Sequence, residues 1–244
     1  MTIPNILTLE IDITYTCGLR CPNCNRLTDL KPGSPSEWVS VEQIRQLINE
    51  SKACKYPWRK WWLIGGEPTT HPELMRLLEL IAHYRDWRGL AQFQVGIATH
   101  GFQVQAILQE VQAEYPFVEI LNSHKVPGEP RDFVAVLDAA IDRLPSLPSE
   151  PHGCGVSWRC GISMNYAGFF PCCVAGAMYR VAKIGYPLRN VQDITIEAIR
   201  QQYRAYCPLC GYFVRESRSR ATRISSTWQR ILRDAELAAT NAKQ

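Results

Sequence analysis

The chain reads as an α/β protein built on a parallel sheet, and three observations carry that reading. Apolar, β-branched runs alternate with segments of helical periodicity along the first 144 residues. The alternation stops at a proline-rich connector, LPSLPSEPHG, beyond which cysteines and aromatic residues dominate. With 244 residues, 46% of them apolar, the chain has enough material for a sizeable core.

The first strand is expected in ILTLEIDITYT (6–16), an apolar, β-branched run. VEQIRQLINESKA (41–53) places Val41, Ile44, Leu47 and Ile48 at helical spacing, with Ser40 as N-cap and Gln43 closing a capping box. KWWLIGG (60–66) and AQFQVGIA (91–98) read as strands, PELMRLLELIAHY (72–84) and FQVQAILQEVQAEY (102–115) as the helices that follow them. FVEILNS (117–123) and DFVAVLDAAIDRL (132–144) repeat the unit once more. Right-handed crossovers then give a parallel sheet. On the second strand Trp61 and Trp62 face opposite sides, so at least one packs against helices. The composition change predicts two units, 1–147 and 148–244, with helices at 194–206 and 224–239 in the second; Ile224, Trp228, Ile231 and Leu232 share one face of the latter.

No run approaches the roughly 18 apolar residues of a membrane span, and the N-terminus lacks the pattern of a secretory signal, so a cytoplasmic location without membrane attachment is expected. The net charge of +4 is mild, and the one basic cluster (Arg215, Arg218, Arg220, Arg223) reads as a solvated face before it reads as a nucleic-acid footprint. Ten cysteines in such a chain point to metal binding or catalysis, because the cytosol keeps thiols reduced. They fall in two regions: Cys17, Cys21 and Cys24 together, and Cys154, Cys160, Cys172, Cys173, Cys207 and Cys210 in the last third, with Cys54 alone between them as a plain buried thiol.

Cys17, Cys21 and Cys24 lie at the C-terminal end of the first strand, where parallel α/β sheets carry their sites. A structural zinc ion takes four protein ligands, whereas a cubane iron-sulfur cluster can be held by three thiolates with its fourth iron open. C-x3-C-x2-C after one strand and Gly65-Gly66-Glu67-Pro68 after the next resemble the radical S-adenosylmethionine enzymes, over roughly residues 6–125. The resemblance implies a partial (β/α) TIM-type barrel of four to six strands, a [4Fe-4S] cluster on the three cysteines, and reductive cleavage of S-adenosylmethionine to a 5'-deoxyadenosyl radical that abstracts hydrogen from a substrate. It also implies an external electron donor of flavodoxin or ferredoxin type. Gly65, Gly66 and Glu67 would meet the methionyl amine. Thr99 and His100, with Gly101, resemble the family's Thr-Asn-Gly stretch lining the cofactor pocket, and Ser123 resembles its serine at the methionine end. Asn23 stands where the family often has an aromatic residue, and Ser123 is followed by His124 and Lys125 where peptide-modifying members carry an acidic-glycine pair.

Residues 154–173 followed by CPLC (207–210) resemble the small auxiliary iron-sulfur domain (SPASM/Twitch type) that many radical enzymes carry after the barrel. Six cysteines suit one auxiliary [4Fe-4S] cluster. Cys160, Cys172, Cys207 and Cys210 are the first choice of ligands, Cys154 competes for a place, Cys173 is spare, and a four-cysteine zinc site fits the same residues. Such domains recur in maturases of ribosomally made peptides. The expected substrate is therefore a peptide or protein, to be crosslinked, epimerised or excised, and presented by a separate leader-binding partner because no such domain precedes the first strand. The alternatives are a small-molecule dehydrogenase or epimerase and, without catalysis, a zinc-stabilised binding module.

Overall fold

The first strand, β1 (Thr8–Thr14), has both faces buried, with Leu9, Ile11 and Ile13 on one side and Glu10, Asp12 and Thr14 on the other. A strand covered on both faces belongs at the centre of a parallel sheet, and in the computed structural model of the chain β1 occupies that place. The structure describes residues 3–89, 92–128, 133–148, 151–214, 218–219 and 223–241. Ala91, Asp132, Ser149, Glu150, Arg215 and Arg220 of the segments read above lie outside them.

After β1 come α1 (Val41–Ala53), β2 (Lys60–Gly65), α2 (Leu74–Arg88), β3 (Gln94–Thr99), α3 (Gln105–Glu114) and β4 (Glu119–Asn122). They are followed by β5 (Phe133–Val134), α4 (Gly155–Arg159), β6 (Ile162–Asn165), β7 (Gly168–Phe170), α5 (Cys173–Ala182), α6 (Ile196–Tyr206), β8 (Arg218–Ser219) and α7 (Ser226–Asn241). The main sheet has six strands in the order β4-β3-β2-β1-β6-β7, parallel throughout except for the β6–β7 hairpin. It is an open sheet, as a partial barrel requires.

Helices α1 and α2 cover one face. Ser40 caps α1 reciprocally with Gln43, as its sequence predicts: the Gln43 N–H donates to Ser40 Oγ at 3.2 Å and the Ser40 N–H to Gln43 Oε1 at 3.0 Å. Trp61 is fully buried and stacks on Tyr84 of α2 at 4.9 Å. Trp62 points the other way and lies over Gly96 of β3, where any Cβ would meet its ring at 2.3 Å. A second apolar cluster, with Phe170, Val174, Met178, Tyr206 and Trp228, lies under α5, and Ile224, Ile231 and Leu232 pack against it as the α7 pattern predicts.

Three expectations change, the first being that Cys54, at the C-terminal end of α1, is exposed and not buried. Residues 132–144 were expected to be helical, but they form the two-residue strand β5, paired antiparallel with β8, and a 3-10 turn at Ala140–Asp142. Residues 135–140 are buried in succession, so the segment has no solvent stripe, and its carbonyls at Val136 and Leu137 accept from Gly211 and Ser225. The units 1–147 and 148–244 share one sheet: β6, from beyond the connector, lies beside β1 with Glu10 opposite Ser163. No helix among the described residues is long and apolar enough to cross a membrane.

Candidate functional site

The loop leaving β1 carries Cys17, Cys21 and Cys24, all half-buried, and left-handed backbone at Asn23 (φ 55°) and Leu27 (φ 53°) coils it over the strand ends. The Leu19 N–H points at Cys17 Sγ at 3.4 Å and the Thr28 hydroxyl at Cys24 Sγ at 3.3 Å. Burial pushes the Cys17 thiol up to about 11, and the nearby Cys24, Glu67 and Cys21 add to the rise. A thiol raised by burial and by its thiol and carboxylate neighbours needs a cation beside it to exist as a thiolate, which is what a metal site supplies.

At the end of β2 the glycines serve a backbone purpose. The Gly66 N–H donates to Thr14 O and the Glu67 N–H to Thr16 O, both at 2.8 Å, so the turn is bonded to the start of the cysteine loop. A Cβ on Gly65 (φ 136°) would sit 2.0 Å from Thr14 O, and one on Gly66 2.3 Å from Thr16 O. With those N–H groups spent, the turn has carbonyls left to offer, which suits an ammonium ligand.

Glu67, expected to meet the ligand, is fully buried and engaged elsewhere. Its Oε1 accepts from the hydroxyls of Thr99 (2.8 Å) and Thr69 (2.9 Å), and its Oε2 from the His100 N–H (2.9 Å), with His100 Nε2 at 3.3 Å. It therefore locks the β2 loop to the β3 loop. Pro68 is also buried and opens a 3-10 turn. Burial lowers the His100 pKa, against the pull of Glu67. Gly65, Gly66, Thr99, His100 and Ser123 line one cleft together with the three thiols. Ser123 is held by Thr99 O, which accepts from its N–H at 3.0 Å and its hydroxyl at 2.9 Å.

Two cations on the cleft wall were missed, Arg26 and Lys125. Arg26 is buried and clamped from β1, with Nη2 2.7 Å from Glu10 Oε2 and Nε 3.0 Å from Asp12 Oδ1. Tyr15 and Asn165 extend this network. Burial raises the Asp12 carboxyl, opposed by Arg26 and reinforced by Glu10. Removing Arg26 would leave two uncompensated buried carboxylates, a cost of about 3–5 kcal/mol. The signal was in the strand: carboxylates at alternate positions of an apolar run announce a polar inner face.

The C-terminal cysteines divide differently from the first choice made on sequence. Cys154, Cys172, Cys207 and Cys210 line one apolar cavity with Tyr203, Tyr206 and Phe213. Cys160 is outside it, against Glu10 beneath β1, its thiol pushed up to about 12 by burial and then by that carboxylate. Cys154 and Cys160 cap opposite ends of α4, so only one of them reaches the cavity. Cys173 is buried, with Arg26 and Glu10 as charged neighbours. Burial first, and the other thiols next, raise Cys172 and Cys207 well above the ordinary range. Backbone N–H groups counter this: Val174 and Ala175 at Cys172, Gly153 at Cys207, Tyr212 and Phe213 at Cys210. Among the described residues no three His, Cys, Asp or Glu side chains converge closely enough to hold a single metal ion; the thiols of each set share a cavity.

An open parallel sheet with three thiols in the loop after its first strand and a glycine turn after the second defines a class of enzyme. Residues 11–121 match the model of the radical SAM superfamily. Among solved structures, the crystal structure of BtrN in complex with AdoMet and 2-DOIA is similar at 12% identity and a TM-score of 0.49, covering 88% of this chain and 92% of that one. No curated protein matches the chain by sequence.

Proposed function

We propose that this radical SAM enzyme is an oxidoreductase that removes hydrogen from a small molecule. Cys17, Cys21 and Cys24 would hold three irons of a [4Fe-4S] cluster, and S-adenosylmethionine would occupy the cleft over Gly65, Gly66, Thr99, His100 and Ser123. Cys154, Cys172, Cys207 and Cys210 would hold a second cluster. When bound, the first group supplies the electron that releases a 5'-deoxyadenosyl radical from S-adenosylmethionine, and the second is a one-electron acceptor.

The observation that carries this reading is the contrast between the thiol sets. Three thiols open onto a cleft with other polar groups, whereas four share an apolar cavity. A cluster held by four thiolates has no iron left for substrate, so electron transfer is the role left to it. Cys173, next to Cys172, neighbours Arg26, two residues from Cys24, so the two cysteine-bearing segments are adjacent. The chain's own residues keep the cleft in shape: Glu67 fixes the loops after β2 and β3, and Glu10 and Asp12 hold Arg26 in its wall. A peptide or protein substrate with a leader-binding partner has the resemblance of the C-terminal segment behind it, and no contact in the cleft favours it.

Anaerobic reconstitution with iron and sulfide tests the proposal. It should yield roughly eight irons per chain, four for each cubane, and release 5'-deoxyadenosine when dithionite and S-adenosylmethionine are supplied. Deuterium transfer from small-molecule alcohols or amines into 5'-deoxyadenosine would identify the substrate class. A colourless protein with two tightly bound zinc ions would sink the reading.

A further inference from the structure

We infer that Arg26 is the residue that holds the substrate, and that the group it holds is a neutral hydroxyl oxygen: the hydrogen donor is an alcohol and not an amine. The inference rests on the radical SAM reading of the cleft and narrows the substrate class proposed above. Arg26 lies on the cleft wall beside Asn25 and Thr28, and its side chain is only 5% exposed. Nε is bound to Asp12 Oδ1 and Nη2 to Glu10 Oε2, which leaves Nη1 and its N–H groups for whatever enters the cleft. The fork is braced from behind, because the Tyr15 hydroxyl donates to Asp12 Oδ2 at 3.2 Å and Asn165 Nδ2 to the Tyr15 hydroxyl at 3.1 Å. Its place suits a substrate that must serve both thiol sets. Arg26 is two residues from Cys24, and its charge is felt at Cys173, next to Cys172.

The donor set decides the chemistry of the ligand. A guanidinium offers N–H groups and accepts nothing, so an ammonium, which also only donates, would meet a cation with no bond to make. A carboxylate or phosphate gains little, because Glu10 and Asp12 already sit on the guanidinium and balance its charge. A neutral oxygen with lone pairs satisfies both conditions. For an alcohol, the 5'-deoxyadenosyl radical takes the hydrogen atom from the carbon that bears the hydroxyl and becomes 5'-deoxyadenosine. The carbon radical left behind loses the hydroxyl proton to water and one electron to the second cluster, and its C–O bond becomes C=O. Negative charge grows on the oxygen as that proton departs, and a fixed donor aimed at the oxygen stabilises the change.

The test uses the reconstituted full-length enzyme with dithionite, S-adenosylmethionine and two sets of carbon-deuterated probes. One set is glycerol, glucose and myo-inositol; the other is propylamine and cyclohexylamine. Wild type should carry deuterium into 5'-deoxyadenosine from at least one polyol and from neither amine, and the polyol should end as a carbonyl compound that a hydrazine traps. With that polyol, Arg26→Lys keeps the charge but loses the fork, and should raise KM at least about 10-fold and lower kcat as well. Arg26→Met/Glu10→Gln/Asp12→Asn removes the carboxylates together with their partner, and decides the question if the single variant does not fold. The Kd for S-adenosylmethionine should stay within about 3-fold of wild type in both, a split that general damage to the cleft would not produce. Deuterium from an amine, an unchanged KM, or a matching loss of S-adenosylmethionine affinity overturns the assignment. Wild type that releases 5'-deoxyadenosine without label from any polyol overturns it alone; wild type that releases none refutes the radical reading and this inference with it.

Discussion

The two thiol sets are built on opposite principles. The N-terminal set lies in a loop at the C-terminal rim of the sheet, half-exposed, beside a polar cleft, and the main core lies below it. The C-terminal set comes from segments up to 56 residues apart in the run Cys154–Cys210 and meets in an apolar cavity, with Cys172 and Cys210 in the smaller apolar cluster and Cys207 against the main core. A rim site can exchange small ligands without disturbing the fold. A site that ties distant segments together inside a small cluster contributes to folding when metal binds.

The largest contrast comes from emptying each site. Replacing Cys17, Cys21 and Cys24 together by alanine should reduce cleavage of S-adenosylmethionine to background while circular dichroism and melting temperature stay close to wild type. Retained cleavage would refute the assignment. The Cys207→Ala/Cys210→Ala variant should lose roughly four irons and melt at a lower temperature, with uncoupled cleavage surviving. Cys154→Ala should lose iron from this site and Cys160→Ala should not; the reverse result would restore the ligand set first chosen on sequence.

A smaller effect separates two glycines of the rim. Gly66→Ala puts a Cβ against Thr16 backbone and should cost about 1–3 kcal/mol of stability, together with a measurable loss of S-adenosylmethionine affinity. Gly18, inside the cysteine loop, has nothing within 4 Å of the place a Cβ would take, so Gly18→Ala should stay within about 0.5 kcal/mol of wild type. Equal behaviour of the two would mean that the β2 turn is not held by its contact with β1.

The smallest effect is a pH dependence of the rim's support. His71 bonds Val39 O at 3.1 Å, and burial lowers its pKa from the ordinary 6.5. His100 shifts in the same direction. A histidine held neutral contributes fully above 6.5, and that contribution is lost as the pH falls through its lowered native value. Urea midpoints should therefore fall from pH 7.5 to pH 5.5, by at most about 1.4 kcal/mol per pH unit for each histidine. His71→Gln should flatten the slope; an unchanged slope would remove His71 as a source.

What the amino-acid sequence by itself determined was local. Spacing put three thiols in one loop and a glycine turn after the next strand, and periodicity located β1 to β4, α1 to α3, α6 and α7 to within a few residues. A loop or helix is specified by neighbours a few residues apart, so its pattern is legible. The tertiary structure decided what depends on distant partners. It placed β6 beside β1, turned Glu10 and Asp12 onto Arg26, spent Glu67 on Thr99 and His100, and put Cys154 rather than Cys160 in the cavity with Cys172, Cys207 and Cys210. The helix pattern of 132–144 lost to pairing with residues near 211 and 225, because a segment buried on every side takes its backbone bonds from whatever chain surrounds it.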